Sequence, residues 1–333
     1  MSYQITLDAG TTNTRAVLWK DGSTYLGQSR FEAGAGSSAA DGGNERLKAA
    51  VGACIRSLLE AHGLSQVDVE CVIASGMITS NVGLFELPHL TAPVGISHLA
   101  AGMKQILMPE ICQIPIWLIP GMKNKIESAD PFEAMDMMRG EETEAVALLE
   151  QLPREKALLL ILPGSHTKFI TAQGGQLTGC LTTLTGELLS VLTRNTILAD
   201  TVGRSFATEA AYRRDMAELG YKTAKKTGLA RAAFAARVLR QQQGYSREEM
   251  ASYLLGAVIE GDIRAMLHSS AVRITEETNA VISGNGAYCL GFAQAAKLEG
   301  LFPGLQKVHK EEIPLSAKGA LAIYKERSRA DWR

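Results

Sequence analysis

The sequence predicts an α/β protein of two related domains, each a mixed sheet begun by an antiparallel meander and covered by helices, with a cleft between them. Three observations predict it. At 333 residues the chain exceeds the size at which one hydrophobic core usually keeps growing. A meander of three short strands near the N-terminus recurs, in order and approximate spacing, from about residue 157. Several apolar runs end in glycine-rich loops, as strands do when one sheet edge presents ligand contacts.

The first meander comprises strands at 5–8, 15–19 and 24–29, joined by the turns Gly10-Thr11-Thr12-Asn13 and Lys20-Asp21-Gly22. A stretch rich in Gly, Ala and Ser at 33–43 reads as a loop that moves or binds. A helical pattern follows at 47–62, then a buried strand at 70–74 ending in the loop 75–83, and another apolar run at 114–119. A helix opens at Gly140-Glu141-Glu142. The second meander has strands at 157–162, 168–172 and 177–181 around the turns Gly164-Ser165-His166-Thr167 and Gly174-Gly175. From about 187 the apolar spacing is mainly helical, including 252–267, and a short strand at 280–282 meets Ser283-Gly284-Asn285-Gly286 before a last helix. The domain division expected from this pattern is 1–137 and 138–333.

Basic and acidic residues number 34 and 35, for a net charge of −1. That balance speaks against a nucleic-acid or membrane-surface partner. Neither a secretory signal pattern nor an apolar run long enough to span a bilayer is visible. The five cysteines are scattered, never in the close pairs of zinc or redox sites, which fits the cytoplasm. The apolar positions of the helical second half suit a homodimer surface as well as a core.

The two turns carry the chemistry. A polyphosphate needs donors that approach closely, and Gly10 permits this while Thr11, Thr12 and Asn13 add donors around the turn. Asp8 offers a carboxylate to Mg²⁺, through water, and Arg15 a cation to phosphate oxygens. Gly164, Ser165, His166, Thr167 and Lys168 repeat the arrangement, so two such hairpins facing each other would form a clamp. The same residue types are also common in ordinary hairpins.

Together with Ser283-Gly284-Asn285-Gly286, these turns resemble the phosphate-1, phosphate-2 and adenosine motifs of the sugar kinase, chaperone ATPase and actin superfamily. Gly76-Met77-Ile78-Thr79-Ser80-Asn81-Val82-Gly83, Ile119-Pro120-Gly121, Met138-Arg139-Gly140-Glu141-Glu142-Thr143 and Pro163-Gly164-Ser165-His166-Thr167-Lys168 narrow the resemblance to the 2-dehydro-3-deoxygalactonokinase family. It runs in order from about residue 5 to 291. The charged segment after Val308 has no counterpart in it.

The resemblance implies two actin-like (ribonuclease H-like) domains, ATP and Mg²⁺ in the cleft, and phosphorylation of a 2-keto-3-deoxy sugar acid at its 6-hydroxyl. It implies adenosine contacts at Gly284, Asn285 and Gly286, and a carboxylate base following a glycine at a helix start. Glu141 occupies that place, with Glu142 as its competitor. A carboxylate there would accept the substrate hydroxyl proton, although both glutamates also suit the positive end of a helix dipole. Substrate contacts are expected from Gly76, Met77, Ser80, Asn81 and Arg139, with Glu32 a further candidate. A kinase of the same fold acting on another sugar and a non-catalytic nucleotide-dependent regulator remain as alternatives.

Overall fold

The computed structural model describes residues 2–126, 131–309 and 311–329. Strands β1 (Tyr3–Ala9), β2 (Thr14–Lys20) and β3 (Thr24–Phe31) form the first meander, close to the expected bounds. Then come α1 (Ala35–Asp41), α2 (Glu45–Ala61), β4 (Val69–Gly76), β5 (Leu90–Thr91), β6 (Val94–Gly95), α3 (Ile96–Gly102), β7 (Lys104–Met108), β8 (Cys112–Leu118), β9 (Met122–Lys123), α4 (Pro131–Ala134) and β10 (Met137–Met138). After α5 (Glu141–Leu149), the second meander is β11 (Leu158–Leu162), β12 (Thr167–Gln173) and β13 (Gln176–Thr183). The chain continues as α6 (Thr185–Arg194), α7 (Arg214–Thr227), α8 (Leu229–Gln243), α9 (Arg247–His268), β14 (Asn279–Ser283), α10 (Ala287–Leu298), β15 (Gln306–Val308) and α11 (Leu315–Arg329).

The repeat read in the sequence is a repeat of topology. One sheet runs β3-β2-β1-β4-β8-β7 and the other β15-β14-β11-β12-β13-β6. Within them, β3-β2-β1-β4-β8 and β13-β12-β11-β14-β15 correspond strand for strand, two antiparallel pairings followed by two parallel ones. Period-two alternation assigns the faces. Ile5 and Leu7 of β1 and Val72 and Ala74 of β4 pack against α2. On the opposite face, Val17, Trp19, Cys71 and Ile73 share a core with Leu158, Leu160 and Leu162 of the second sheet, and with residues of α3, α5 and α11. Leu159 and Ile161 turn away from that shared core toward α9 and α10.

The halves also exchange elements. β6 lies in the first half of the chain and pairs with β13 of the second sheet. The segment after Val308 is no charged tail over 315–329: Ala317, Ala320, Leu321 and Ile323 of α11 are buried in the shared core. At the α11–α5 crossing, Gly319 sits so close that a Cβ there would lie 1.8 Å from the Thr143 carbonyl oxygen. Lys310 and residues 330–333 of that segment lie outside the described residues.

A second difference concerns 33–43, read as a flexible loop. Most of it is α1, tied to the first turn because Ala35 N–H donates to Gly10 O (3.0 Å) and Gly36 N–H to Thr11 O (2.8 Å). Glycines read as flexibility here serve close approach: a Cβ on Gly34 would stand 2.3 Å from Gly10 O.

Candidate active site

Each meander ends its first hairpin in a turn held by the helix beyond it. In the first, Gly10 N–H donates to Asn13 O at 2.9 Å, leaving Thr11 and Thr12 exposed at the tip. Asn13 is held in turn, its Nδ2 donating to Thr12 Oγ1 (2.8 Å) while its Oδ1 accepts from Arg30 Nε and Nη2 (3.2 and 2.9 Å). In the second, Gly186 and Glu187 at the start of α6 donate their N–H groups to Ser165 O at 3.0 and 3.1 Å. A Cβ on Gly186 would lie 2.5 Å from Gly164 O, so glycine is required there as at Gly34. His166 Nε2 lies 2.9 Å from Glu187 Oε1, and Thr167 is fully buried.

Both turns wall one cavity of about 740 Å³. The structure brings to it Gly10 and Thr11 from the first turn and Gly164, Ser165, His166 and Lys168 from the second. Met77, Ser80, Asn81, Arg139 and Glu141 line it as well, whereas the expected Gly76, Asn13 and Thr167 do not. Asp8 and Arg15 line an adjoining cavity of about 520 Å³ with Arg30 and Ser283, and Thr12 lines a third with Thr185, Glu187, Phe206 and Tyr288. Gly284, Asn285 and Gly286 line none of these three. Their loop is fixed by Gly284 N–H to Val308 O (2.9 Å), Gly286 N–H to Glu209 Oε2 (3.0 Å) and a 3.0 Å contact of Asn285 Oδ1 with His309 Nδ1. Glu32 is exposed at the end of the first meander and lines none of them.

The two competing glutamates differ sharply. At the N-terminus of α5, Glu141 Oε2 accepts from Arg139 N–H (3.1 Å) and its Oε1 lies 3.2 Å from Lys168 Nζ. Glu142, one residue on, has no exposed surface, and both its oxygens accept from Gly140 N–H at 2.8 Å. Burial, and then the charge of Glu141, push the Glu142 carboxyl up to about 8. Asp8 is raised to about 6 by burial and by Glu141, against the opposing pull of Arg15 and a hydrogen bond from Ser316. Gly76 backs Asp8: it has φ +84°, and a Cβ there would be 2.6 Å from Asp8 Oδ1. Asp8, with Glu141 near it, suits Mg²⁺, which keeps several waters and takes one or two carboxylates plus phosphate oxygens. Among the described residues no group of three His, Cys, Asp or Glu side chains is arranged to hold a metal.

Arg139 lines the cavity, yet its terminal nitrogens already serve the loop after β4, donating to Thr79 O and Oγ1 (2.5 and 2.6 Å) and to Leu87 O (2.9 Å). Sequence reasoning missed Glu86, His89 and Glu144, which line the same cavity, and Arg30, which crosses the first turn. Arg30 had a signal, since it stands opposite Arg15 in the β2–β3 register. His89 had none, as no local spacing ties it to Arg139.

The model of the 2-keto-3-deoxy-galactonokinase family matches residues 8–313. The chain belongs to that family. An Escherichia coli (strain K12) 2-dehydro-3-deoxygalactonokinase is 29% identical over 194 residues, 58% of each chain. A Rhizobium meliloti (strain 1021) protein described as the 2-dehydro-3-deoxygalactonokinase DgoK1 is 24% identical over 206 residues, 61% of this chain and 60% of the relative. The chain thus spans under two thirds of the length of these curated relatives. A solved Sinorhizobium meliloti structure described as a 2-dehydro-3-deoxygalactonokinase superposes with a TM-score of 0.73 at 22% identity, covering 99% of both chains. The galactonokinase-family fold is therefore that of the whole described chain, two mixed actin-like sheets flanked by helices. Among the described residues no helix is long and apolar enough to cross a membrane.

Proposed function

We propose that this protein is a kinase that transfers the γ-phosphoryl group of ATP, with Mg²⁺, to the 6-hydroxyl of 2-dehydro-3-deoxygalactonate. The observation that carries the reading is the Glu141–Lys168 contact at 3.2 Å, inside a cavity walled by both turns. Family membership supports the substrate class. The phosphates lie between the turns, whose backbone N–H groups and hydroxyls receive them, and the nucleoside extends toward the Ser283–Gly286 side. Two lobes, dividing near 137/138, close over the ligands.

Glu141 is the base in this reading. It is the glutamate that faces the cavity, whereas Glu142 is sealed beneath it and held by Gly140. Lys168 neutralises Glu141 before ligands arrive. As negative charge enters between the turns, the ammonium group moves onto a phosphoryl oxygen and frees Glu141 to accept the hydroxyl proton. Transfer then needs alignment and charge neutralisation more than a strong base. Asp8 is the residue that would hold Mg²⁺, which when bound would neutralise charge on the phosphate oxygens.

The test is ADP release in a coupled assay over 2-keto-3-deoxy sugar acids, aldonic acids and hexoses. The expected result is turnover stimulated by 2-dehydro-3-deoxygalactonate, with Glu141→Gln losing a factor of about 10²–10⁴ in kcat while still binding ATP. ATP binding without stimulation by any acceptor would instead mark a nucleotide-dependent regulator. Near-wild-type turnover in Glu141→Gln would refute the base assignment.

A further inference from the structure

Arg139 leads to a group that neither phosphate turn supplies. Its Nη2 lies 3.2 Å from Nδ1 and 3.1 Å from Nε2 of His89. With Nη1 on Thr79 and Nη2 also on Leu87 O, the guanidinium is immobilised by the loop it clamps and faces the imidazole. The ring also lies close to Gly121, where a Cβ would stand 2.9 Å from His89 Cδ2. Half-buried between an arginine and a glycine, the ring has little freedom to turn.

Its protonation follows. Burial, Arg139 and Lys123 push His89 down to about 4, so the imidazole is neutral at neutral pH. A neutral imidazole has one acceptor nitrogen and one N–H, and a guanidinium can only donate. Nη2 lies almost equally far from both ring nitrogens, over the face of the ring, so the one N–H of the neutral imidazole is left to donate in the ring plane. His89 lines the same cavity as Glu141. Moreover, the backbone of Arg139 donates to Glu141 while its guanidinium reaches His89, so one residue ties the two groups to the same wall of the cavity.

We propose that His89 recognises the acid end of the substrate, its N–H donating to an oxygen of the carboxylate or 2-keto group while Glu141 takes the hydroxyl at the far end. This rests on the sugar-acid kinase reading above. Arg139 is then a positioning residue, fixing the orientation of His89 rather than holding the substrate itself.

Steady-state kinetics of His89→Ala and His89→Asn, with 2-dehydro-3-deoxygalactonate and ATP varied separately, test it. His89→Ala should raise KM for the acid about tenfold or more, the loss of one well-made hydrogen bond, and leave KM for ATP unchanged. His89→Asn, which keeps an N–H donor, should recover part of that loss. An unchanged KM for the acid in His89→Ala overturns the proposal, and so does an equal rise in both KM values, which marks a merely structural role. Wild-type protein that phosphorylates a neutral hexose but no sugar acid overturns the substrate reading and this proposal with it. Wild-type turnover of the acid with an indifferent His89 overturns this proposal alone.

Discussion

Replacing Gly319 by alanine sets two effects of opposite sign against each other. Gly319 lies within α11, where Gly→Ala favours the helix by about 1 kcal/mol. The added carbon, however, would fall 1.8 Å from Thr143 O, and contacts below 3.0 Å essentially never occur, so α11 and α5 must part by at least 1.2 Å, the difference between the two. Both helices belong to the core shared by the two sheets, and overpacking there costs about 3 kcal/mol at the upper end of its usual range. The net destabilisation is about 2 kcal/mol, a fall in Tm of about 3 °C for a chain of this length. Because α5 begins at Glu141, kcat should also fall by about a factor of ten or more. Differential scanning fluorimetry and the coupled kinase assay read the two effects. Gly261→Ala in α9 is the control: nothing lies within 4 Å of its added carbon, so only the helical gain remains. A Tm for Gly319→Ala equal to or above that of the wild type would show that the two helices part freely and refute the reasoning.

Two other perturbations separate the roles around the turns. Gly34→Ala puts a carbon 2.3 Å from Gly10 O and 2.7 Å from Thr11 O, displacing the first turn, so KM for ATP should rise about tenfold with KM for the acid little changed in initial-rate measurements. For Glu142, the folded protein holds a proton up to about pH 8 that the unfolded chain releases near its ordinary 4.5. Its contribution to stability is therefore full below 4.5 and is lost as pH rises toward 8. Urea melts between pH 5 and 8 should show wild-type stability falling with pH, partly from Asp8 as well, and a flatter profile in Glu142→Gln, whose amide oxygen still accepts from Gly140. Equal slopes would mean that the buried carboxyl is not protonated.

The turns at Gly10 and Gly164 were legible because their chemistry is local: glycine, hydroxyl and cation lie within a few residues on strands whose apolar alternation is plain. The duplication of the meander followed from that same repetition, whereas the strand order of the sheets did not. What escaped was carried by small residues meeting across long separations. Ala317, Gly319 and Ala320 make no apolar stripe a period would find, yet the two alanines are buried in the shared core and Gly319 lets α11 approach Thr143 of α5. Gly34 and Gly36 read as flexible for want of side chains, and that lack is what lets the backbone of α1 bond the first turn. Glu141 and Glu142 are adjacent in the chain, and only the rotation of α5 about its axis distinguishes the one facing the cavity from the one beneath it.

The crossing of α11 back into the core between the two sheets also bears on how the chain comes off the ribosome. Residues 315–329, which complete the core between the two sheets, emerge only after the last strand, β15, has been made. Ser316, which bonds Asp8, arrives with them. Nascent chain lacking this stretch already holds both turns through α1 and α6, but it lacks the hydroxyl that bonds Asp8 and the helix that completes the shared core. Half-length fragments expressed alone would expose the apolar faces of that core and aggregate.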